Sequence, residues 1–165
     1  MTSIQDYAEN ISQAIILRQP LPVMPELSIE EGYQLQKAVS KLINSESFPG
    51  LKAGVTSKEM QKLVGLSEPL IASIYERGKC ESGSTITVTP KHELEFELGV
   101  IVDSEGVPCE LVAVVEIVVL DFSKPEDFSL ANAIAVNLGA DQYLLGACHT
   151  RHLCHFCRTL FWAYC

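Results

Sequence analysis

The sequence predicts a mixed α and β domain with its helices first and its strands after. Three observations carry this. Apolar residues recur at helical spacing in two N-terminal stretches, 3–18 and 28–44. Strict apolar/polar alternation follows in "HELEFELGVIV" (92–102). An apolar run, "LVAVVEIVVL" (111–120), comes after a turn signal at "DSEG" (103–106). The chain has 165 residues, 47% hydrophobic and 20% charged, which is enough for one domain with its own core and unlike a disordered chain.

The elements follow in order. Ile4, Tyr7, Ile11 and Ile15 place one stripe on a first helix. "RQPLPVMPEL" (18–27) is broken by three prolines and must be an extended connector. A second helix starts at Ser28, where Glu31 completes a capping box, and ends near Asn44. "FPG" (48–50) breaks the chain, and "LKAGVTS" (51–57) reads as a short strand running into a cap. Thr56 with Glu59 predicts a second capping box, opening a short helix that stops at Gly65. "SEPLIASIYERG" reads as a loop followed by a short strand or helical turn, and "STITVTP" (84–90) alternates like a strand. The strands at 93–102 and 111–120 come next, then a loop at 123–128. Residues 129–146 form a helical or irregular segment leading to a strand. No internal repeat or low-complexity tract interrupts the pattern.

Bulk properties exclude some functions. A net charge of −9 makes nucleic acid and anionic membranes poor partners, because phosphate contacts need Lys and Arg. The N-terminus lacks a basic region and carries Asp6 and Glu9 within its apolar pattern, so no signal peptide is expected. The apolar run at 111–120 is too short to cross a bilayer and holds Glu116 at its middle. The expected location is cytoplasmic, with the six cysteines reduced.

Glu93, Glu95 and Glu97 share one face of the alternating strand, spaced about 6.6 Å apart. The simplest reading is a solvated face. Like charges at that spacing repel by roughly 0.6 kcal/mol in water and about 2.5 kcal/mol at an effective dielectric of 20, so a partly buried set needs a cation. Glu116 adds to the case, because a carboxylate in so apolar a stretch needs a partner. That partner is either a metal ion shared with Glu95 and Glu97, or a Lys or Arg; otherwise Glu116 points outward from an edge strand. Three carboxylates make a hard oxygen site, suited to Mg²⁺ or Mn²⁺. Lys52 is either a surface lysine or part of a site, with Gly50, Gly54, Thr56 and Ser57 around it and a helix N-terminus following.

"GLKAGVTSKEMQKLVGLSEP", "LEFELGVIV", "VVEIV" and "NLGADQYLLG", in that order, resemble the 2-keto-4-pentenoate hydratase / 4-oxalocrotonate decarboxylase family of the fumarylacetoacetate hydrolase fold. The resemblance covers residues 1 to about 146. It implies an α+β fold, with a helical N-terminal region (1–48) packed on a mixed β-roll or barrel (50–146). It implies Glu95, Glu97 and Glu116 as ligands of Mg²⁺ or Mn²⁺, with Glu93 left in solvent. Lys52 would be catalytic, binding a substrate carboxylate or moving a proton, and Thr56, Ser57 and Asn137 would bind substrate. The implied activity is a hydratase of short 2-oxo or 2-hydroxydienoic acids such as 2-keto-4-pentenoate, working as a homo-oligomer. The alternatives are a 2-oxo acid decarboxylase, or an impaired relative serving as a binding or oligomerisation module.

The sequence departs from the family at several places. Leu70 stands where an Asp is usual and Ala72 where a Gly is usual. Val136, Asn137, Leu138, Gly139 and Ala140 replace a motif of which the Asn alone is kept. The segment between the two carboxylate strands is short, so a helix usual in the family is expected to be missing. After residue 146 the composition changes abruptly: "ACHTRHLCHFCRTLFWAYC" (147–165) holds four cysteines, three histidines and the only tryptophan. This tail is read as truncated or out-of-frame sequence in place of the family's C-terminal strands, as a Cys-rich structural tail, or as a zinc site using Cys154 and Cys157 with His149, His152 and His155. On the first reading the fold is incomplete at its C-terminus and leaves sheet edges exposed.

Overall fold

The computed structural model describes residues 3–44 and 49–149. Helix α1 (Ile4–Leu17) opens on a capping box between Ser3 and Asp6. Helix α2 (Ile29–Asn44) opens on the expected one, with Ser28 N donating to Glu31 Oε2 at 2.8 Å and Glu31 N to Ser28 Oγ at 3.3 Å. Between them the proline-rich connector runs extended, held by a parallel bridge from Leu21 to Phe122 and by Met24 N donating to Asp127 Oδ2 at 2.9 Å.

Strand β1 (Leu51–Gly54) pairs antiparallel with β2 (Leu70–Ser73), and the short helix α3 (Lys58–Leu63) lies between them in sequence. Its N-cap is Ser57, whose side chain accepts from Met60 N at 3.1 Å, and not the expected Thr56. Either residue can cap; the chain turns at Val55, which adopts φ 55°, and this shifts the first helical turn by one position.

A four-stranded sheet follows, in the order β3 (Lys79–Cys80), β6 (Ala140–His149), β5 (Pro108–Val119), β4 (His92–Val102). β4 and β5 form the predicted hairpin, with Glu95 opposite Glu116. Residues 84–90, expected as a strand, are irregular and almost wholly exposed. Alternation makes a strand only where a partner strand and a buried face await it, and this stretch has neither among the described residues. The segment after 128 becomes helix α4 (Leu130–Ala135), a tight corner at 137–139 and strand β6. β6 continues to His149, three residues past the expected end of the domain; the rest of the Cys/His-rich tail, with His152, Cys154, His155 and Cys157 of the proposed zinc site, lies outside the described residues.

The main core joins α1, α2 and α4 through Ala8, Ile11, Leu35, Val39, Ala135 and Val136, closed by Leu21 and Phe122. Helices α2 and α4 meet very closely at Gly32: a Cβ there would stand 2.6 Å from the Ala131 carbonyl oxygen. A second cluster, Val112, Val114 and Tyr143, lies within the large sheet. The result is the expected α+β arrangement, helices first. The expected barrel is not closed among the described residues: the four-stranded sheet is open, with β4 at one edge.

Candidate metal centre

Side chains alternate along a strand, so Glu93, Glu95 and Glu97 project from one face of β4. Their neighbours on β5 are Val118, Glu116 and Val114. Glu93 is exposed, as expected of a solvated residue, whereas Glu95 and Glu97 are partly covered and Glu116 is 2% exposed on a central strand. Carboxylate oxygens of Glu95, Glu97 and Glu116 all lie within 4.8 Å of one another. Ligand oxygens held at about 2.1 Å on opposite sides of an octahedral Mg²⁺ are about 4.2 Å apart. Small side-chain rotations therefore bring the three oxygens to one ion, and the triad could hold a divalent cation.

Lys52 completes the site from the small sheet. It is buried, its Nζ donating to Glu116 Oε1 at 2.7 Å and lying 3.8 Å from Glu95 Oε2. The surface-lysine reading is thus excluded, as is an outward-facing Glu116. The two remaining readings of Glu116 join: it is paired to a lysine and also belongs to the acidic triad. Opposite Lys52 on β2 stands Ala72, small enough to leave room for the long side chain. Leu70 and Gly54 pair on the same face, and Gly54 lies against the Leu138 side chain. Leu70 is buried, 3% exposed, and its side chain cannot carry a proton.

The electrostatics follow from this burial. Desolvation, then the Glu116 charge, push the Glu97 carboxyl up to about 7, with Lys52 opposing and Glu95 adding to the rise. Burial also raises Glu116, against the pull of the Lys52 ammonium and its hydrogen bond. Three ionised carboxylates with one ammonium carry a formal charge of −2, which a divalent cation matches. Tyr143 is paired with Glu116 across β5 and β6 and shares its face; burial, then the Glu76 charge, raise its phenol. The sequence offered no signal for Tyr143, since nothing there set its register against Glu116.

The expected substrate-binding residues fare differently. Thr56 Oγ1 is buried and without a hydrogen-bond partner, a group free to bind something else. Ser57 is exposed and caps α3. Asn137 is fully buried: its Oδ1 accepts from Ser73 N at 3.0 Å, and its Nδ2 donates to Ser40 Oγ at 2.7 Å and to Tyr75 Oη at 2.6 Å. Both amide protons are engaged, so Asn137 ties α2, β2 and the corner together instead of offering its amide to a substrate.

No family model matches the sequence and no curated protein does. Among solved structures, 4-oxalocrotonate decarboxylase from Pseudomonas putida G7, complexed with magnesium and adipate, superposes with a TM-score of 0.70 at 17% identity. The two share a fold. That superposition covers 87% of this chain and 62% of the decarboxylase, so the chain spans under two thirds of its length. The same enzyme complexed with calcium and acetate gives a TM-score of 0.67 at 17% identity, covering 87% of this chain and 61% of that one. No described helix is long and apolar enough to cross a membrane.

Proposed function

We propose that this chain is a divalent-metal-dependent lyase, and that its reaction is hydration of a short 2-oxo or 2-hydroxydienoic acid such as 2-keto-4-pentenoate. The observation that carries the reading is the convergence of Glu95, Glu97 and Glu116 beside the buried Lys52. Glu95, Glu97 and Glu116 would hold Mg²⁺ or Mn²⁺. When bound, the ion acts as a Lewis acid toward the keto and carboxylate oxygens of a 2-oxo acid and favours its enolate. Lys52 is held by Glu116 with its ammonium at the edge of the triad, placed to bind a substrate carboxylate or to hand over a proton. Thr56 Oγ1 supplies an unused hydroxyl two residues beyond β1. Lys52 is buried on β1 opposite the buried Ala72, with the buried Leu70 next along the same face of β2.

Decarboxylation of a 2-oxo acid is the second reading, favoured by the fold shared with 4-oxalocrotonate decarboxylase. The buried Leu70 also favours it, since loss of CO₂ needs fewer proton-moving side chains than addition of water. The third reading, a binding or oligomerisation module without turnover, rests on the same leucine and on an open apolar face of β4, which also supports a homo-oligomer.

One assay separates them. The protein is incubated with 2-hydroxypentadienoate or with 4-oxalocrotonate, with and without Mg²⁺ or Mn²⁺, following dienoate absorbance and CO₂ release. Hydration predicts metal-dependent loss of the dienoate without CO₂; decarboxylation predicts CO₂ from 4-oxalocrotonate. No turnover of either by folded, metal-loaded protein would leave only the binding module.

A further inference from the structure

Beyond this reading, on the other face of the large sheet, α1 and the start of β4 enclose a cavity of about 190 Å³. His92 and Glu95 are three residues apart on β4, so His92 projects away from the acidic triad. The wall surface is mostly apolar: Ala14 and Ile15 of α1, Leu21 of the connector, Val119 of β5 and Val136 of the corner. A cavity of about 150 Å³ with such walls accepts benzene, so this one takes a single small ring with a substituent.

Half of the lining residues are polar, and of these only His92 and Asp141 have buried side chains. The His92 side chain is 8% exposed, and its Nδ1 accepts from Thr89 N at 2.9 Å. In the neutral ring that bond leaves the proton on Nε2. Yet Nε2 is buried and has no hydrogen-bond partner; the nearest carboxylate oxygen, Asp141 Oδ2, is 3.6 Å away. Asp141 is itself buried, accepting from Arg18 Nε at 3.4 Å and from Gln142 Nε2 at 3.0 Å. Of this pair only His92 Nε2 lacks a partner, since each Asp141 oxygen already has one donor and keeps a second lone pair. A hydroxyl oxygen satisfies His92 by accepting from Nε2–H, and its own proton goes to a spare lone pair of Asp141. The remaining charges balance: Arg18 offsets Asp141, and Asp121, also at the cavity, is paired with Lys91. An anion would meet the two aspartates, and a cation would meet Arg18.

We propose that this cavity is a second binding site, for a small neutral apolar molecule bearing one hydroxyl group, a phenol or a cyclic alcohol. The hydroxyl lies between His92 Nε2 and Asp141, and the ring lies against Ala14, Ile15 and Val119.

The test is binding to the full chain, read by saturation-transfer NMR and by amide shifts of Ala14, Val119 and Ala140. Phenol and cyclohexanol are the probes; benzene and benzoate are the controls. Phenol should bind about threefold to tenfold more tightly than benzene, the worth of one to two net hydrogen bonds, and benzoate more weakly still. His92→Phe should erase the preference for phenol over benzene, while His92→Gln, which keeps a donor near the Nε2 position, should retain part of it. Ala14→Leu, which fills the cavity from a helix, should abolish binding of both. Glu95→Gln, on the opposite face, should change nothing. Circular dichroism of each variant keeps folding apart from binding; if Ala14→Leu fails to fold, the His92 pair decides alone. Equal affinity for phenol and benzene, no binding of either, or a preference that survives His92→Phe would each overturn the proposal.

Discussion

Lys52 and Glu116 are each about 3% exposed at the side chain, and neither charge is tolerable there alone. Replacing Lys52 by Met would leave three carboxylates facing one another without a cation. Metal-free stability should fall by about 3–5 kcal/mol, the usual cost of breaking a buried pair. Divalent ions should restore more of the loss than they add to the parent protein, because they supply the missing charge. Thermal melts with chelator and with Mg²⁺ measure both; a variant as stable as the parent without metal would contradict the burial argument. Glu97 gives the pH dependence. Its pKa is raised in the folded state from 4.5 to about 7, so folding favours the protonated carboxyl. The metal-free protein should therefore keep this contribution below pH 4.5 and lose it as pH rises through about 7. A divalent ion must displace the same proton. Its affinity should climb by up to about tenfold per pH unit below 7 and level off above, as isothermal titration at several pH values would read.

At the scale of elements, the corner between α4 and β6 decides where β6 enters the sheet. Asn137, Leu138 and Gly139 all adopt positive φ, at 55°, 52° and 73°. A leucine in the left-handed region costs about 1–2 kcal/mol, and the surroundings must hold it there. Asn137 does so with three hydrogen bonds to two other elements and to Tyr75. Asn137→Ala should cost about 3 kcal/mol in urea unfolding, since Ser73 N and the Tyr75 hydroxyl lose a buried partner. If Asn137 were instead a substrate ligand, KM would rise while stability held. Gly139 is bound by contact as well as by φ: a Cβ there would stand 2.9 Å from the Val119 carbonyl oxygen. Gly139→Ala should destabilise the β5–β6 pairing, seen as faster amide exchange along β6 than in the parent.

For the whole molecule, the uneven covering of the large sheet matters most. On the face bearing the triad, Lys52 of the small sheet reaches Glu116 and Glu95. On the other face of β4, Leu94 and Phe96 are 60% and 67% exposed, and Leu98 beside them is 41% exposed. Three large apolar side chains in a row on an edge strand form a patch that soluble monomers seldom leave open. The protein should bind a hydrophobic dye and associate with rising concentration. Substituting threonine at Leu94 and Phe96 keeps β propensity and removes apolar area, so dye binding and light scattering should both fall. Unchanged scattering would mean that association uses another surface.

The resemblance singled out Glu95, Glu97 and Glu116; composition and periodicity alone indicated the first two helices, the two long strands and an acidic strand face. Those features are local: a 3.6-residue or two-residue rhythm, a capping serine with its glutamate, a charge stranded in an apolar run. The sequence also carried the resemblance that singled out Lys52. It could not place Lys52 Nζ 2.7 Å from Glu116, because those residues are 64 positions apart and meet only when one sheet packs on the other. Nor could it show that Asn137 is spent on Ser40, Ser73 and Tyr75, or that residues 84–90 find no partner strand among the described residues. It read Thr56 as a helix cap, although Ser57 takes that place and the Thr56 hydroxyl has no hydrogen-bond partner. Local rhythm determines which element a segment can become. Only tertiary packing decides which polar groups are buried together, because burial makes each unmet donor, acceptor or charge costly enough to select its partner.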